Sequence, residues 1–141
     1  MLTTYKPGDV RMTVGGSIMH GFADGTFINV EYDEDAVTKT MGADGECSRS
    51  ISSNTSGRIT ITLMQTSDSN GVLSLIAIAD RQSGGGIVPV TITAGQSVYA
   101  AAMAWVVKMP PAGFEKEVTT REWNMDCASL DVYEGGYEGE S

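Results

Sequence analysis

Apolar and polar residues alternate one by one along much of this chain, and that alternation constrains the fold more than any other feature. The clearest case is RITITLMQ, residues 58–65, where Ile59, Ile61 and Leu63 are separated by polar residues. Successive side chains of a β-strand lie on opposite faces, so this pattern predicts a half-buried strand. A chain dominated by such segments is expected to form antiparallel sheets with one face in a core.

The same alternation predicts several further strands, separated by glycine-rich and acidic turns. We predict strands over residues 9–14, 17–20, 27–32, 36–41, 58–65, 87–93, 97–109 and 118–127. Residues 27–32 and 36–41 are expected to pair with each other around an acidic hairpin tip at 33–35. Pro89, inside one predicted strand, indicates a sheet edge or a bulge because proline cannot donate a ladder hydrogen bond.

One segment has helical rather than strand periodicity. Apolar residues recur at three- and four-residue spacing from Val72 to Ala79, after capping side chains at 67–70 and before the glycines 84–86. This predicts one helix of about three turns. Seven to nine strands with one helix predict a mainly β fold, an antiparallel β-sandwich or flattened barrel with one α-helix packed at one side.

The chain length and the charge distribution predict how the chain is organised. Its 141 residues correspond to one domain, which we place at 1–130. From Asp131 onward there are four acids and no base, which predicts a flexible acidic tail over 131–141.

Composition excludes several classes of function. Nine bases and eighteen acids give a net charge of −9, which opposes binding to the outside of nucleic acids and of anionic membranes. No apolar run approaches the roughly 20 residues of a membrane-spanning helix, and no secretion signal is recognisable, so we expect a soluble protein. Cys47 and Cys127 are expected to be reduced thiols, with one disulfide as the alternative.

No group of residues predicts an enzyme or a metal site. His20 is the only histidine available as a base, and no GxSxG motif accompanies it. The glycines 84–86 follow a helix instead of preceding one, so they do not form a phosphate-binding loop. The acids 33–35 lack the ligand spacing of a calcium loop. We therefore expect no catalytic residue, no cofactor and no metal.

Residues 42–57 are predicted to form a long polar loop. This stretch has five serines, three glycines and one large apolar residue, Ile51, so it offers almost nothing to a core. Loops of this length in compact domains usually carry function or are disordered.

Four segments in their order along the chain carry a family resemblance. They are TYKPGDVRMTVGG, FINVEYDEDAVTKTMGADGECSRSI, RITITLMQTSDSNGVLSLIAIADRQ and REWNMDCASLDVYEGG. In this arrangement nearly the whole chain resembles the tail tube proteins of contractile-tailed bacteriophages. The resemblance implies that six copies form a ring whose strands join into a continuous inner β-barrel. It also implies that the rings stack into a rigid tube inside a contractile sheath.

The resemblance further implies that residues 42–57 reach an adjacent subunit or ring, which would order the polar loop on assembly. Ile51 is the expected anchor. The expected inter-subunit residues are Asp44, Glu46, Cys47, Arg49, Ile51 and Asn54. The candidate lumen-facing residues are Asn29, Glu31, Thr38, Lys39 and Thr40, with the outer surface of a monomer as the alternative for each.

The implied partners are other copies of the chain and the sheath, tape-measure and baseplate proteins. DNA would pass through the lumen without specific binding, and no membrane is involved. The expected location is the tail tube of the virion, after assembly in the bacterial host cytoplasm.

Two other functions stay open from the sequence. A tail-tip or baseplate protein would form one ring and stop. A carbohydrate-binding β-sandwich would use Trp123, Tyr133 and Tyr137 as sugar-stacking rings, whereas Trp105 is expected in the core.

Overall fold

Antiparallel strands dominate the computed structural model, which describes residue 4, residues 6–25 and residues 27–135. In this part of the chain the strands are Arg11–Val14 (β1), Ser17–Ile18 (β2), Ile28–Tyr32 (β3), Val37–Met41 (β4), Cys47–Ile51 (β5), Gly57–Met64 (β6), Val88–Ala94 (β7), Ser97–Lys108 (β8), Thr120–Cys127 (β9) and Leu130–Tyr133 (β10). One helix, Ser69–Ser83 (α1), and a short 3-10 turn, Pro7–Asp9, complete these elements. The predicted mainly β fold with one helix is confirmed.

Eight strands form one sheet, and the other two form a separate hairpin. The order in the large sheet is β2-β1-β7-β8-β9-β6-β3, with β10 also paired to β8. Strand β8 is long enough to pair with β10 over Val98–Ala101 and with β9 over Ala104–Lys108. Strands β4 and β5 pair only with each other.

The inner face of the large sheet and one side of α1 enclose the core. The predicted alternation of β6 is confirmed, since Ile59, Ile61 and Leu63 are each at most 1% exposed. Trp123 of β9 is 2% exposed, and its Nε1 donates to Oδ1 of Asn70 on α1 at 2.9 Å. This bond gives the buried indole its polar partner. The expectation for Trp105 is wrong: it lies on the other face of the sheet and is half-buried.

The turn and bulge residues act as the sequence predicted. Gly15 and Gly16 join β1 to β2 with φ of 57° and 88°, a backbone region that favours glycine at both turn positions. Pro89 lies in an interior strand, where the register between β7 and β8 shifts between Val88 and Val90. The prolyl residue is therefore accommodated at a bulge.

Helix α1 is longer than predicted, at 15 residues or about four turns. Its N-cap residue, Asp68, makes no side-chain capping bond, and the Ser67 hydroxyl instead accepts from the Ser69 N–H at 3.2 Å. The predicted stop is confirmed at Gly84, which has a φ of 71° and donates its N–H to the Asp80 carbonyl.

The predicted pairing of residues 27–32 with residues 36–41 is wrong. Strand β3 pairs with β6, so that Ile28 lies opposite Ile61 and Val30 opposite Ile59. This long-range pairing places two apolar side chains of β3 against the core, which pairing with β4 would not do. The acids at 33–35 therefore link β3 to β4 and are not a hairpin tip.

The predicted long loop over 42–57 is wrong in its middle, which is strand β5, while residues 42–46 and 52–56 have no regular structure. A tight turn reverses the chain, with the Gly42 N–H donating to the Glu46 carbonyl at 2.7 Å. The hairpin closes where the Ser52 N–H donates to the Ala36 carbonyl at 2.8 Å. Serine-rich strands lack the apolar alternation that identifies a half-buried strand, which is why the sequence indicated a loop.

Strand β10 occupies residues that the sequence assigned to the flexible tail. Leu130 is 1% exposed, and Asp131 to Tyr133 pair with β8. Gly57 permits this close approach, since a Cβ there would lie 2.5 Å from the Leu130 Cδ2. Residues 136–141, the rest of the expected tail, lie outside the described residues.

Candidate assembly surfaces

The hairpin of residues 36–52, here called the arm, extends away from the core. Every residue from 36 to 51 is exposed, including the large apolar residues Val37 (44%), Met41 (58%) and Ile51 (74%). An isolated two-stranded hairpin is marginally stable in water, and this one has no core of its own. Exposed apolar residues on such an element indicate a contact with another surface.

The arm has two chemically different faces, because directly opposed residues of an antiparallel pair share a face. On the basic face, Val37 lies opposite Ile51, Lys39 opposite Arg49, and Met41 opposite Cys47. On the hydroxyl face, Thr38 lies opposite Ser50 and Thr40 opposite Ser48. The two faces of the arm therefore require different complementary surfaces, one for basic and apolar side chains and one for hydroxyl groups.

Hydrogen bonds hold the base of the arm to the body. The Ser52 hydroxyl donates to Glu34 Oε2 at 3.0 Å, and the Ser56 hydroxyl donates to Asp33 Oδ2 at 2.8 Å. Asn54 Oδ1 accepts from the Ser56 N–H at 3.0 Å. Asn54, one of the expected inter-subunit residues, thus makes a local hydrogen bond in the segment that leads from the arm to β6. Asp44 and Glu46 lie in the turn at the tip of the arm.

The face of β3, β6 and β9 that points away from the core is polar except for Met64 at the end of β6. In one cross-strand row Glu31, Arg58 and Asp126 are neighbours, and Arg58 Nε lies 3.3 Å from Asp126 Oδ1. In the next row the Thr60 hydroxyl donates to Asn124 Oδ1 at 3.1 Å. We call this surface the polar sheet face; its members are Asn29, Glu31, Arg58, Thr60, Thr62, Glu122, Asn124 and Asp126.

The five candidate lumen residues do not form one surface in the structure. Asn29 and Glu31 belong to the polar sheet face, whereas Thr38 and Thr40 lie on the hydroxyl face of the arm and Lys39 on its basic face. The sequence-based reasoning missed the polar residues of β6 and β9. Their signal was present, because they occupy the polar positions of the alternating strands 58–65 and 118–127.

Two unpaired strand edges flank the polar sheet face. The N–H groups of Thr62 and Asp33 donate to the carbonyls of Phe27 and Ser56 at 2.8 and 3.0 Å. Alternation along an antiparallel ladder therefore directs the backbone groups of Ile28, Val30 and Tyr32 away from β6. Among the described strands none pairs with that edge. On the other side, β8 pairs with β7 only as far as Ala104, which leaves Trp105–Lys108 unpaired on that edge.

The two thiols lie in opposite environments. Cys47 is exposed on the arm, and Cys127 is buried at 2% exposure; both are free. Burial, together with the nearby carboxylates of Asp126 and Asp33, raises the pKa of the Cys127 thiol to about 11. Because the thiolate is the reactive form, two properties protect Cys127 from thiol reagents: the side chain is buried, and the thiol stays protonated.

We expect iodoacetamide at pH 8 to alkylate Cys47 completely while Cys127 stays unmodified until the chain unfolds. Intact-protein mass spectrometry should find one adduct in buffer and two in denaturant. Since folding raises the Cys127 pKa above its ordinary value of 9.0, its contribution to stability is full below pH 9 and is lost as the pH rises through about 11. Two rapid adducts on the folded protein at pH 8 would contradict the burial of Cys127.

The described residues form no cluster of metal ligands, and His20 makes a backbone contact. Within residues 4, 6–25 and 27–135, no group of three or more His, Cys, Asp and Glu could hold a metal ion. The His20 backbone N–H donates to the Ser69 hydroxyl at 2.9 Å, which ties the segment after β2 to α1. No helix in this part of the chain is long and apolar enough to cross a membrane. The buried Trp123 ring cannot stack on a sugar, and Tyr137 lies outside the described residues.

Comparison with known proteins identifies the family. The sequence model for the family Bacteriophage PhiTE tail tube protein matches residues 2–135. The chain belongs to this phage tail tube family. A curated relative of this tail tube protein, structural protein ORF10 of Pseudomonas phage KPP10, is 31% identical over 144 residues. That match covers 95% of this chain and 83% of the relative.

Solved structures with a similar fold include a chain of the anti-feeding prophage and chains of an extracellular contractile injection system. The anti-feeding prophage cap, a tube-terminating cap, superposes with a TM-score of 0.67 at 8% identity, over 96% of this chain and 94% of that one. A chain of the PVC sheath-tube complex in its extended state has a TM-score of 0.64 at 11% identity, over 92% and 91%. The tail tube protein therefore shares its fold with these assemblies, and the expected family resemblance is confirmed.

Proposed function

We propose that this tail tube protein forms rings of six that stack into the inner tube of a contractile phage tail, the conduit for DNA ejection. The observation that carries the proposal is the polar sheet face lying between two unpaired strand edges. The ring number follows from the family resemblance stated above. The same family resemblance implies that the protein is assembled in the host cytoplasm and becomes part of the virion.

The two unpaired edges give the ring its contacts. The outward backbone groups of β3 in one copy would pair with Trp105–Lys108 of the next copy. Such a contact is heterologous, because two different surfaces meet, and a heterologous contact closes into a ring when its rotation allows. Closure would pair both of these edges, which reduces the aggregation hazard of the isolated chain.

The polar sheet face would then line the lumen. It carries three carboxylates, those of Glu31, Glu122 and Asp126, against the guanidinium of Arg58, with hydroxyl and amide groups between them. A hydrated wall with a net negative charge would repel the phosphates of passing DNA and so favour its movement. Asn29 and Glu31 keep their proposed lumen position, whereas we assign Lys39 to a contact between subunits and leave Thr38 and Thr40, on the hydroxyl face of the arm, on an outer surface.

We assign the outside of the tube to the sheath and its lumen and ends to the tape-measure and baseplate proteins. Support comes from the fold, which is shared with a chain of a sheath-tube complex. A tube-like protein that starts or ends the tail is the neighbouring alternative, and it would form single rings that do not stack.

A proline on the free edge of β3 tests the ring. In Val30→Pro the residue loses an N–H that points away from β6, so pairing within the chain is kept while pairing with the next copy is blocked. Val30→Ala is the matched control, because it loses similar packing and keeps the N–H. We expect rings from the control and monomers from Val30→Pro, measured by negative-stain electron microscopy and sedimentation velocity.

Circular dichroism melting of both variants establishes that each is folded before the comparison is made. Rings formed equally well by folded Val30→Pro would contradict the edge contact. A wild-type protein that stays monomeric at high concentration, even with its tail-assembly partners, would contradict the whole proposal.

A further inference from the structure

We propose that the basic face of the arm docks on the loop of residues 113–118 of a second copy in the next ring. This inference rests on the proposed tube and names the contact that stacks one ring on another. The loop is here called the acidic loop; it contains Phe114, Glu115, Lys116, Glu117 and Val118.

The basic face is incomplete in the isolated chain. Lys39 and Arg49 lie directly opposite each other, and like charges in that position destabilise a strand pair. In the described part of the chain the one ion pair is Arg58 with Asp126, so neither arm cation has a carboxylate partner there. Apolar side chains flank the two cations on both sides. A surface complementary to the basic face would therefore carry carboxylates between apolar groups.

The acidic loop has that composition. Phe114 is 81% exposed and Val118 is 63% exposed, and Glu115 and Glu117 lie between them in the sequence. The order of apolar, acidic and apolar groups complements the apolar, basic and apolar rungs of the arm. Both surfaces are exposed and short, so each could cover the apolar residues of the other on docking.

The acidic loop is held in place by the body of the protein. The Arg121 guanidinium lies 5.7 Å from the centre of the Phe114 ring. Arg121 also donates to the Gly113 carbonyl at 3.2 Å and to the Thr119 hydroxyl at 2.9 Å. A loop fixed in this way loses less conformational entropy when it binds.

The arm and the acidic loop lie at opposite ends of the same strands. The arm follows Tyr32, which pairs with Gly57 at the first residue of β6, and Gly57 also pairs with Cys127. The acidic loop precedes Thr120, which pairs with Met64 at the last residue of β6. Eight residues of strand separate the two ends by about 23 Å. A head-to-tail contact between such ends repeats without closing and builds an open-ended stack.

The charge pattern also argues against a symmetric contact between two arms. Two basic faces packed together would bring Lys39 and Arg49 of one copy against those of the other, adding like-charge repulsion. The acidic loop of a second copy removes that repulsion, so it is the favoured occupant.

A charge swap tests the pairing. We expect Lys39→Glu with Arg49→Glu to form rings but to need at least about tenfold more protein for stacking. Glu115→Lys with Glu117→Lys should have the same effect, and the four changes together should restore stacking. Thr38→Glu with Ser50→Glu, which places two glutamates on the hydroxyl face, is the matched control and should stack as the wild type does.

Cross-linking provides a second readout that does not depend on stability. Cys47 lies on the basic face and is the exposed native thiol, so Glu115→Cys should form a disulfide with Cys47 of another copy when oxidised glutathione is the oxidant. Arg81→Cys, on the exposed side of α1, is the control and should give no such ladder on a non-reducing gel.

The outcomes separate this inference from the proposed tube. If none of the charge variants changes the stacking seen in the wild type, the pairing is overturned. It is also overturned if both swaps abolish stacking and the combined variant does not restore it. In either case the proposed tube still stands. Loss of stacking in the hydroxyl-face control alone would overturn the choice of face. A wild type that forms no ring at all would instead refute the proposed function.

Discussion

Chains that lack the arm will fold normally and will not form tubes. The variant replaces residues 36–52 with the two-residue turn Asn-Gly, joined between Asp35 and Ser53. The Ser52 N–H and the Ala36 carbonyl are 2.8 Å apart, so the cut ends are already adjacent. Because no residue from 36 to 51 is buried, we expect the free energy of unfolding to change by less than about 1 kcal/mol.

Electron microscopy measures whether the armless chain forms tubes, and thermal melting measures whether its fold keeps its stability. Ile51→Ser removes only the most exposed apolar residue of the arm and should weaken stacking by an intermediate amount, whereas Ser50→Ala on the opposite face should not. Long tubes formed by the armless chain would show that stacking uses another surface. A large loss of stability would show that the arm belongs to the fold.

Truncating Trp123 should destabilise the monomer more than any surface change described above. Its ring is among the largest fully buried side chains, and its Nε1 donates to Asn70 Oδ1 at 2.9 Å. Trp123→Ala should cost about 3–5 kcal/mol, a large part of the 5–15 kcal/mol typical of a domain. Urea unfolding followed by circular dichroism measures the loss.

Trp123→Phe separates packing from hydrogen bonding in the same position. It retains an aromatic ring and leaves the Asn70 amide oxygen without its donor, so a smaller cost of about 1–3 kcal/mol is expected. Trp105→Phe is the control for tryptophan replacement, because Trp105 is half-buried on the outer face and should lose little stability. Equal losses from Trp123→Ala and Trp105→Phe would contradict the assigned core.

The sequence predicted the strand positions better than their partners. Alternation is a local property, and it identified the buried face of β6 correctly. Partner choice depends on which distant apolar residues can be buried together. Ile28 pairs with Ile61, which is far along the chain. The short segment between residues 27–32 and 36–41 contains no information about that partner.

The candidate assembly residues were predicted only in part. Composition singled out residues 42–57 as a segment without a place in the core, and the structure shows that residues 42–52 form the turn and second strand of the arm. Composition could not predict that Thr38 lies opposite Ser50 and Lys39 opposite Arg49, because that register depends on the turn at 42–46. Their contacts with other subunits stay predictions.

By itself, the sequence determined the mainly β class, the single helix with its glycine stop, and the family resemblance, because these follow from local periodicity, local backbone preference and the order of segments. Only the tertiary structure decided which edges stay unpaired, that the polar residues of three strands form one surface, and that the arm and the acidic loop lie at opposite ends. These properties depend on long-range pairing, in which burial of apolar side chains outweighs proximity along the chain.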